Sequence, residues 1–272
     1  MPSDALLSAV EAGVQVFDLA RPMQPGMPQS PNHPEYRHSL PRRHGDMVRA
    51  DGGSAANDLL VMGTHVGTHI DAIAHVSQDG KLHGGADAAA SGEGAKFAEH
   101  GAHTIEPMVR RGVLLDIPAV LGELCPDGYE ITVADLKAAC ERQGTPVGPG
   151  DVVLIHSGWG RHFTDPDRTR YVGAQSGVPG IGADGVRWLA GRGIHAAGAD
   201  TIAFECLHPG KGHSSLPEHR VLIVESGIYL IEAMDLDGLA AANAYEFTFV
   251  LAPLPIVGGT GSPVRPLALV AS

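Results

Sequence analysis

Apolar residues along this chain recur in short β-branched runs that are bounded by Gly, Pro or Asp, which is typical of a sheet-rich protein. Helical spacing of apolar residues is confined to Asp4 to Ala12, Thr132 to Gln143 and Asp184 to Ala190. The predicted strands are Val14 to Leu19, Leu59 to Met62, Val113 to Ile117, Val152 to Ile155, Ile194 to Ala197, Val221 to Val224, Phe247 to Leu251 and Leu267 to Val270. Sheet therefore dominates the predicted organisation, with a few helices beside it.

Two segments are predicted to be irregular. Residues 21–34 contain five prolines, which remove backbone donors, so this stretch is a candidate wall of a pocket. Residues 84–103 are rich in Ala and Gly and predict a surface excursion or lid whose middle could be helical. Because no linker or internal repeat divides the chain, we expect a single domain over residues 1–272.

Composition and charge narrow the class of protein. The hydrophobic content of 43% is ample for a sizeable core, and the net charge of −12 disfavours nucleic acid and anionic membrane surfaces as partners. No apolar run is long enough to span a membrane and no signal peptide is recognisable at the start, so we expect a cytoplasmic protein. The three cysteines stand far apart and predict neither a disulfide framework nor a thiolate zinc site.

One short segment brings together four side chains of the types that bind metal ions, His65, His69, Asp71 and His75. On a helix His65 and His69 would share a face, but Asp71 would lie about 240° around the axis from His65. Gly67 and its β-branched neighbours also disfavour a helix. The segment lacks the Glu that follows the first His in the H-E-x-x-H zinc motif, so a helical zinc site is excluded.

In a straight strand the same side chains share one face, yet His65 and His69 would lie roughly 13 Å apart, too far for one ion. The chain must therefore bend, and Gly67 is the position where it can. A bent strand would bring His65, His69 and Asp71 around one divalent ion with an open position for water, as a catalytic site requires. His75 would then remain near that water as a base.

The pattern H-x-G-T-H-x-D-x-x-x-H, which spans His65 to His75, resembles the signature of the cyclase superfamily of metal-dependent hydrolases, which includes bacterial kynurenine formamidases and isatin hydrolases. The resemblance implies an α/β fold: a swivelling β/β/α-type single domain with a central mixed sheet or barrel-like core flanked by helices. It also implies a homo-oligomer, a dimer or tetramer. Further positions that carry it are Asp18-Leu19, Val152 to Ile155, Gly158-Trp159, Gly198-Ala199-Asp200, His213, Glu225 and the isatin hydrolase-like tail Gly259 to Arg265.

The resemblance also implies roles for the site residues. It assigns a first ion to His65, His69 and Asp71, a second ion shared by Asp71 with His213 and Glu225, and acid/base chemistry to His75. From the residues alone, His219 and Glu218 are equally polar rivals in the same stretch, and Glu225 could end a strand in solvent. Imidazole and carboxylate ligands without a thiolate suit Zn²⁺ or Mn²⁺, with one or two ions per subunit.

Two further residues bear on the substrate. Trp159 is a candidate aromatic wall of the pocket, although a buried Trp with a satisfied indole N–H is the alternative. Ser30 stands where formamidases carry a tryptophan, and Glu225 supplies a carboxylate that isatin hydrolases lack, so neither named activity fits fully.

The resulting hypothesis is hydrolysis of a C–N bond in a small amide, imide or lactam by metal-activated water. A lactone hydrolase or an aromatic-polyketide cyclase that uses the same site is an alternative, and so is a non-catalytic metal-binding protein. No glycine-rich phosphate loop is present, so no nucleotide cofactor is expected.

Overall fold

The computed structural model describes residues 5–271, apart from the side chain of residue 6. Its strands alternate with short helices and lie close to most of the predicted positions. The strands are β1 (Val14–Asp18), β2 (Arg37–Arg42), β3 (Asn57–Val61), β4 (His69–Asp71), β5 (Met108–Asp116), β6 (Glu130–Ile131), β7 (Val152–His156), β8 (Gly180–Ile181), β9 (Ala196–Ala199), β10 (Tyr229–Glu232), β11 (Glu246–Leu251), β12 (Gly261–Pro263) and β13 (Leu267–Ala271).

The helices are short. They are α1 (Ala5–Ala12), α2 (Ala88–Ser91), α3 (Ile117–Leu121), α4 (Val133–Gln143), α5 (Arg168–Val172), α6 (Ala183–Ala190), α7 (Pro217–His219) and α8 (Asp237–Ala241), with 3₁₀ turns at His83–Gly85, Ala102–Thr104, Trp159–Thr164 and Gly212–Ser214 and a π-helical turn at Arg220–Glu225. Within residues 5–271, no helix combines the length and the apolar content that crossing a membrane requires.

Nine strands form one mixed sheet in the order β1-β13-β11-β5-β7-β9-β10-β4-β12. Strands β5, β7, β9 and β10 run parallel at its centre, and antiparallel strands extend it on both sides. The sheet is strongly curled into a half-barrel with helices beside it, which confirms the predicted α/β fold with a central mixed sheet. Strands β2 and β3 form a separate two-stranded ribbon.

Two apolar clusters cover opposite faces of the sheet, because successive side chains of a strand alternate between faces. Val113 and Leu115 of β5 belong to the cluster that packs against α4 and α6. Leu114, between them in sequence, belongs to the other cluster, which includes Phe247 and Phe249 of β11. The central strands are therefore buried on both sides, as parallel strands of α/β proteins are.

Helix α4 begins and ends where the sequence predicts. Thr132 and Asp135 form a reciprocal capping box at its start, and Gly144 ends it with a φ of +66°. The segment 84–103 contains the short α2, and 21–34 has no regular strand or helix, as expected. The first predicted helix is confirmed from Ala5; its predicted start at Asp4 lies outside the described residues.

The predicted strand Val221 to Val224 is wrong. These residues lie in the π-helical turn Arg220–Glu225, which continues from α7 with Pro217 at its first position. A run of four apolar residues has no periodicity that separates a strand from a buried helical turn, so the burial of Val221, Leu222 and Ile223 satisfies either structure. The strand that follows is β10, Tyr229–Glu232.

A buried ion-pair network at the end of β7 makes stability dependent on pH. His156 Nδ1 lies 2.8 Å from Asp116 Oδ1, and its Nε2 lies 3.1 Å from Asp237 Oδ1. Burial by itself would lower the pKa of His156, but these hydrogen bonds outweigh it and raise the pKa to about 10. The charged ring therefore stabilises the fold by up to a few kcal/mol below pH ~6.5, and this contribution disappears as the pH rises through about 10.

We therefore expect the free energy of unfolding in urea to fall between pH 7 and pH 10 in the wild type. His156→Gln should be less stable at pH 7 and should have a smaller slope, because the contribution of His156 is removed. His44→Gln, at an exposed histidine, is the matched control and should keep it. An equal slope in the wild type and in His156→Gln would contradict the assignment.

Candidate metal centre

Strand β4 carries two of the predicted metal ligands and lies between β10 and β12. His69 is paired with Glu232 of β10, so the two side chains leave the same face of the sheet. Asp71 shares that face because it lies two residues from His69, whereas the buried Ile70 between them points to the opposite face. The pairing of β4 with β10 therefore places the carboxylate of Glu232, which is distant in sequence, beside the local motif.

The chain bends at Gly67, as predicted. Gly67 has a φ of +70°, a left-handed conformation that favours glycine. The turn brings the ring centroids of His65 and His69 to 5.3 Å, instead of the roughly 13 Å of a straight strand. A Cβ at Gly67 would also lie 3.4 Å from the methyl group of Met23 and 3.5 Å from that of Met27.

His65, His69 and Asp71 offer ligand atoms that all lie within 4.8 Å of one another, and all three are buried. His65 Nδ1 lies 2.6 Å from Asp71 Oδ1, and His69 Nε2 lies 3.5 Å from the same oxygen. The local motif thus converges on one point, as the bent strand requires.

A second group shares Asp71. Asp71, His219 and Glu232 offer ligand atoms within 4.8 Å of one another, and all three are buried. His219 Nε2 lies 3.1 Å from Glu232 Oε1 and 3.8 Å from Asp71 Oδ2. His69 Nε2 of the first group lies 3.4 Å from Glu232 Oε2 of the second group. The two groups are therefore in direct contact as well as sharing Asp71.

Each imidazole of the two groups has one nitrogen held from outside the cluster. His69 Nδ1 lies 2.8 Å from the Gly67 carbonyl oxygen, and His219 Nδ1 lies 2.9 Å from Glu205 Oε1. His65 Nε2 lies 2.9 Å from Thr260 Oγ1. The other nitrogen of each ring faces the carboxylates, which is the arrangement of histidines that bind metal ions.

Asp71 Oδ2 is buried without a hydrogen-bond partner, and the buried Glu232 Oε1 faces His219 Nε2 at 3.1 Å without an aligned hydrogen bond. Burying an ionised oxygen without a partner is costly, and a cation is the group that would offset that cost here. Oxygen and imidazole nitrogen atoms without a thiolate suit a divalent ion such as Zn²⁺ or Mn²⁺. The residues present therefore fit a divalent metal ion.

The electrostatics of the cluster also favour positive charge between the carboxylates. Burial opposes ionisation of Glu232, but contacts with the imidazoles of His219 and His69 outweigh it and lower the pKa to about 2. Burial likewise opposes ionisation of Asp71, but His75 and His65 hold its pKa well below the usual range. In turn, the pKa of His219 is raised because contacts with Glu205 and Glu232 outweigh its burial.

His75 stands beside the cluster rather than in it. Its ring stacks on His65 with centroids 3.8 Å apart, and its Nε2 lies 3.9 Å from Asp71 Oδ2. Its side chain remains 23% exposed. Burial, opposed by the charge of Asp71, lowers the pKa of His75 to about 4, so the ring is neutral at pH 7.

Four residues of the cluster, His65, His69, His219 and Glu232, line a cavity that leaves about 40 Å³ for the centres of water molecules. His33, from the proline-rich segment, lines this cavity and stacks on His65 with ring centroids 5.2 Å apart. The other walls combine imidazole edges with apolar side chains. Lining residues are Pro28, Gln29, Ser30, His33, His65, Gly67, His69, His75, Tyr171, Ile202, Ala203, His213, Leu216, His219, Glu232 and Ala233.

The structure does not bring Glu225 to the cluster. Glu225 is exposed at the end of the π-helical turn, with its carboxylate 3.1 Å from Arg220 Nε and 3.5 Å from Arg187 Nη1. His213 lines the cavity, and its Nε2 is buried without a hydrogen-bond partner, but it belongs to neither ligand group. The structure therefore groups His219 and Glu232, rather than His213 and Glu225, with Asp71.

The two residues predicted to contact substrate differ in position. Ser30 lines the cavity, in the irregular proline-rich wall that the sequence predicts. Trp159 does not: it is fully buried, and its indole N–H donates to the carbonyl oxygen of Tyr171 at 3.0 Å. Tyr171, whose carbonyl accepts this hydrogen bond, lines the cavity.

Sequence reasoning missed Glu205, Glu232 and His33. Glu232 ends the apolar run Tyr229 to Ile231, and an acid in such a run is a local signal of a buried, paired carboxylate. Glu205 follows Ile202 to Phe204 and carries the same signal. No comparable pattern marks His33.

Comparisons with known proteins find relatives over most of the chain. The sequence model of the Cyclase family, described as "Putative cyclase", matches residues 17–206. The isatin hydrolase of Roseibium aggregatum is 26% identical over 267 residues, which cover 94% of this chain and 92% of the relative.

Solved structures share the fold over nearly the whole chain. A crystal structure described as a novel cyclase has a TM-score of 0.85 and 30% identity, and covers 98% of this chain and 93% of its own. An isatin hydrolase bound to the product analogue thioisatinate has a TM-score of 0.75 and 24% identity, with all of both chains covered. The family model spans well over half of the residues, and the chain therefore belongs to the Cyclase family.

Proposed function

We propose that this protein is a metal-dependent hydrolase that cleaves a C–N bond of a small amide, imide or lactam. The observation that carries the proposal is the pair of buried ligand groups that share Asp71, next to His75 in a cavity. The similarity to an isatin hydrolase, an enzyme named for a cyclic amide, supports the bond type. A further structural neighbour is described as a potential metal-dependent hydrolase with cyclase activity.

In this proposal His65, His69 and Asp71 hold one divalent ion, and Asp71, His219 and Glu232 hold a second. Zn²⁺ or Mn²⁺ at these positions would supply a water molecule of lowered pKa and would polarise the substrate carbonyl. The chain's own contribution is to fix the ligand atoms in place, since each imidazole is anchored from outside the cluster.

His75 would move the proton. Its ring is neutral at pH 7, so its Nε2 can accept a proton from the attacking water and deliver it to the departing nitrogen. The carboxylate of Asp71, 3.9 Å away, would stabilise the imidazolium that forms. The stack on His65 restricts rotation of the ring and so holds Nε2 toward the cluster.

The cavity favours a small substrate with one polar and one apolar edge. His33 and His213 line it with polar side chains, and Tyr171, Ile202 and Leu216 supply apolar surface. A compact cyclic amide or a short acyl amide suits this division, since apolar walls bind the ring and a few polar groups orient it.

We also propose that the chain acts as a homo-oligomer. The ribbon of β2 and β3 exposes Leu40, Leu59, Leu60 and Val61, and a two-stranded hairpin is marginally stable unless something covers it. Sedimentation velocity should therefore give a multiple of 28.3 kDa. A species of 28.3 kDa at micromolar concentration would contradict this proposal.

A substrate panel with the purified protein tests the function. Loaded with Mn²⁺ or Zn²⁺, it should hydrolyse isatin, aryl formamides or related cyclic amides, and a chelator should abolish turnover. Glu232→Gln should lose metal and activity, whereas Glu225→Gln should retain both because its carboxylate lies outside the cluster. Turnover of lactones alone would overturn the C–N assignment, and chelator-insensitive turnover would overturn the role of metal.

A further inference from the structure

We propose that Glu205 is a positioning residue that orients His219 as a metal ligand and thereby controls the occupancy of the second ligand group. This inference rests on the proposed function, because it concerns the ion that Asp71, His219 and Glu232 would hold. Glu205 itself belongs to neither ligand group and does not line the cavity.

The contacts of Glu205 fix the orientation of the His219 ring. The side chain is buried, with 1% exposed. Its Oε1 lies 2.9 Å from His219 Nδ1, and its Oε2 accepts the backbone N–H of Glu218 at 2.6 Å. Because a carboxylate only accepts hydrogen bonds, Glu205 fixes a proton on Nδ1, so that Nε2, which faces Glu232 and Asp71, is the nitrogen that would bind a metal ion.

The backbone beside both carboxylates is unusual. Phe204, directly before Glu205, has a φ of +58°, and Ala233, directly after Glu232, has a φ of +54°. Left-handed conformations are uncommon for residues other than glycine and persist where the surrounding structure holds them. The two turns therefore indicate that the carboxylates on either side of His219 are placed by the fold rather than by local preference.

His69 provides the internal comparison. Its Nδ1 contacts the carbonyl of Gly67, a neutral acceptor, so no charge is added beside the first ligand group. Glu205 instead adds a full negative charge next to the second group, which already contains Asp71 and Glu232. The charge and the orienting hydrogen bond both act through His219. Loss of Glu205 should therefore weaken metal binding by the second ligand group and leave metal binding by the first group unchanged.

Glu205→Gln is the informative substitution because it preserves size but cannot preserve both contacts. An amide has one oxygen, so it can accept from His219 Nδ1–H or from the Glu218 N–H, and its NH₂ group then faces the other donor. If the NH₂ faces His219, the ring must accept at Nδ1 and carry its proton on Nε2, where the ligand lone pair is needed.

The experiment measures metal stoichiometry and affinity in the intact protein. Wild type, Glu205→Gln, His219→Ala and the matched control Glu141→Gln, at an exposed residue of α4, are loaded with Mn²⁺. Bound metal is counted by elemental analysis, and dissociation constants are obtained by chelator competition. Glu205→Gln should bind the second equivalent about 10- to 100-fold more weakly, while the first stays as in the wild type. His219→Ala should lose the second equivalent, and Glu141→Gln should behave as the wild type.

The outcomes separate the two proposals. A wild type without bound metal would contradict the proposed function itself. If the wild type binds two equivalents of Mn²⁺ and Glu205→Gln binds the second equivalent with the same affinity, only the role of Glu205 would be overturned. Circular dichroism checks that each variant folds; if Glu205→Gln does not, Glu205→Asp replaces it. The shorter Asp side chain should also weaken binding of the second equivalent of Mn²⁺. Wild-type affinity for that equivalent in Glu205→Asp would contradict the inference.

Discussion

Asp71→Asn is expected to remove both metal equivalents and to lower kcat/KM by at least about 10³-fold, because metal-assisted catalysis supplies several kcal/mol. Asp71 is the one residue common to the two ligand groups, and it is almost completely buried. Asparagine keeps the shape but removes the charge that the surrounding imidazoles require. Elemental analysis and steady-state kinetics on the purified variant measure the two effects.

Asp184→Asn provides the matched control, since Asp184 is exposed in the first turn of α6. It should retain metal and activity. Retention of two equivalents of metal by Asp71→Asn would show that the shared carboxylate is not a ligand, whatever happens to turnover.

His75→Gln is expected to lower kcat by about 10²- to 10⁴-fold, the usual contribution of a general acid or base, with metal content unchanged. The reason is the position of the ring: it contacts the cluster through its stack on His65 but belongs to neither ligand group. This prediction also distinguishes an enzyme from a non-catalytic metal-binding protein. In a non-catalytic protein, His75→Gln would leave metal binding unchanged and there would be no activity that depends on His75.

The measurement is kcat at saturating substrate together with metal content of the same preparation, and His44→Gln is the exposed control. Turnover within about 3-fold of the wild type, well short of the range usual for a general acid or base, would remove His75 from the proposed mechanism. Loss of metal from His75→Gln would instead assign it to the ligands.

The first half of the candidate site could be predicted from sequence because it is local. His65, His69 and Asp71 lie within a few residues of one another, and the requirement that they converge identified the bend at Gly67, which has the expected left-handed φ. Local geometry links spacing and distance directly in such a short segment.

The second half could not be predicted because it depends on strand register. Glu232 joins the site through the pairing of β10 with β4, which sets it opposite His69. The choice between His213 and His219, and between Glu225 and a distant acid, depends on whether residues 221–224 form a strand or a helical turn. The π-helical turn leaves Glu225 in solvent, and periodicity over four residues contains no information on that point.

The sequence by itself determined the many short strands, the capped helix α4, the irregular proline-rich wall and the bent ligand segment, because turn residues, caps and short spacings act between near neighbours. Only the tertiary structure decided which distant side chains meet there: His219 and Glu232 beside Asp71, Glu205 behind His219, and Tyr171 rather than Trp159 at the cavity. These contacts depend on the register of paired strands and on the packing of buried turns, where a shift of one residue turns a side chain to the opposite face.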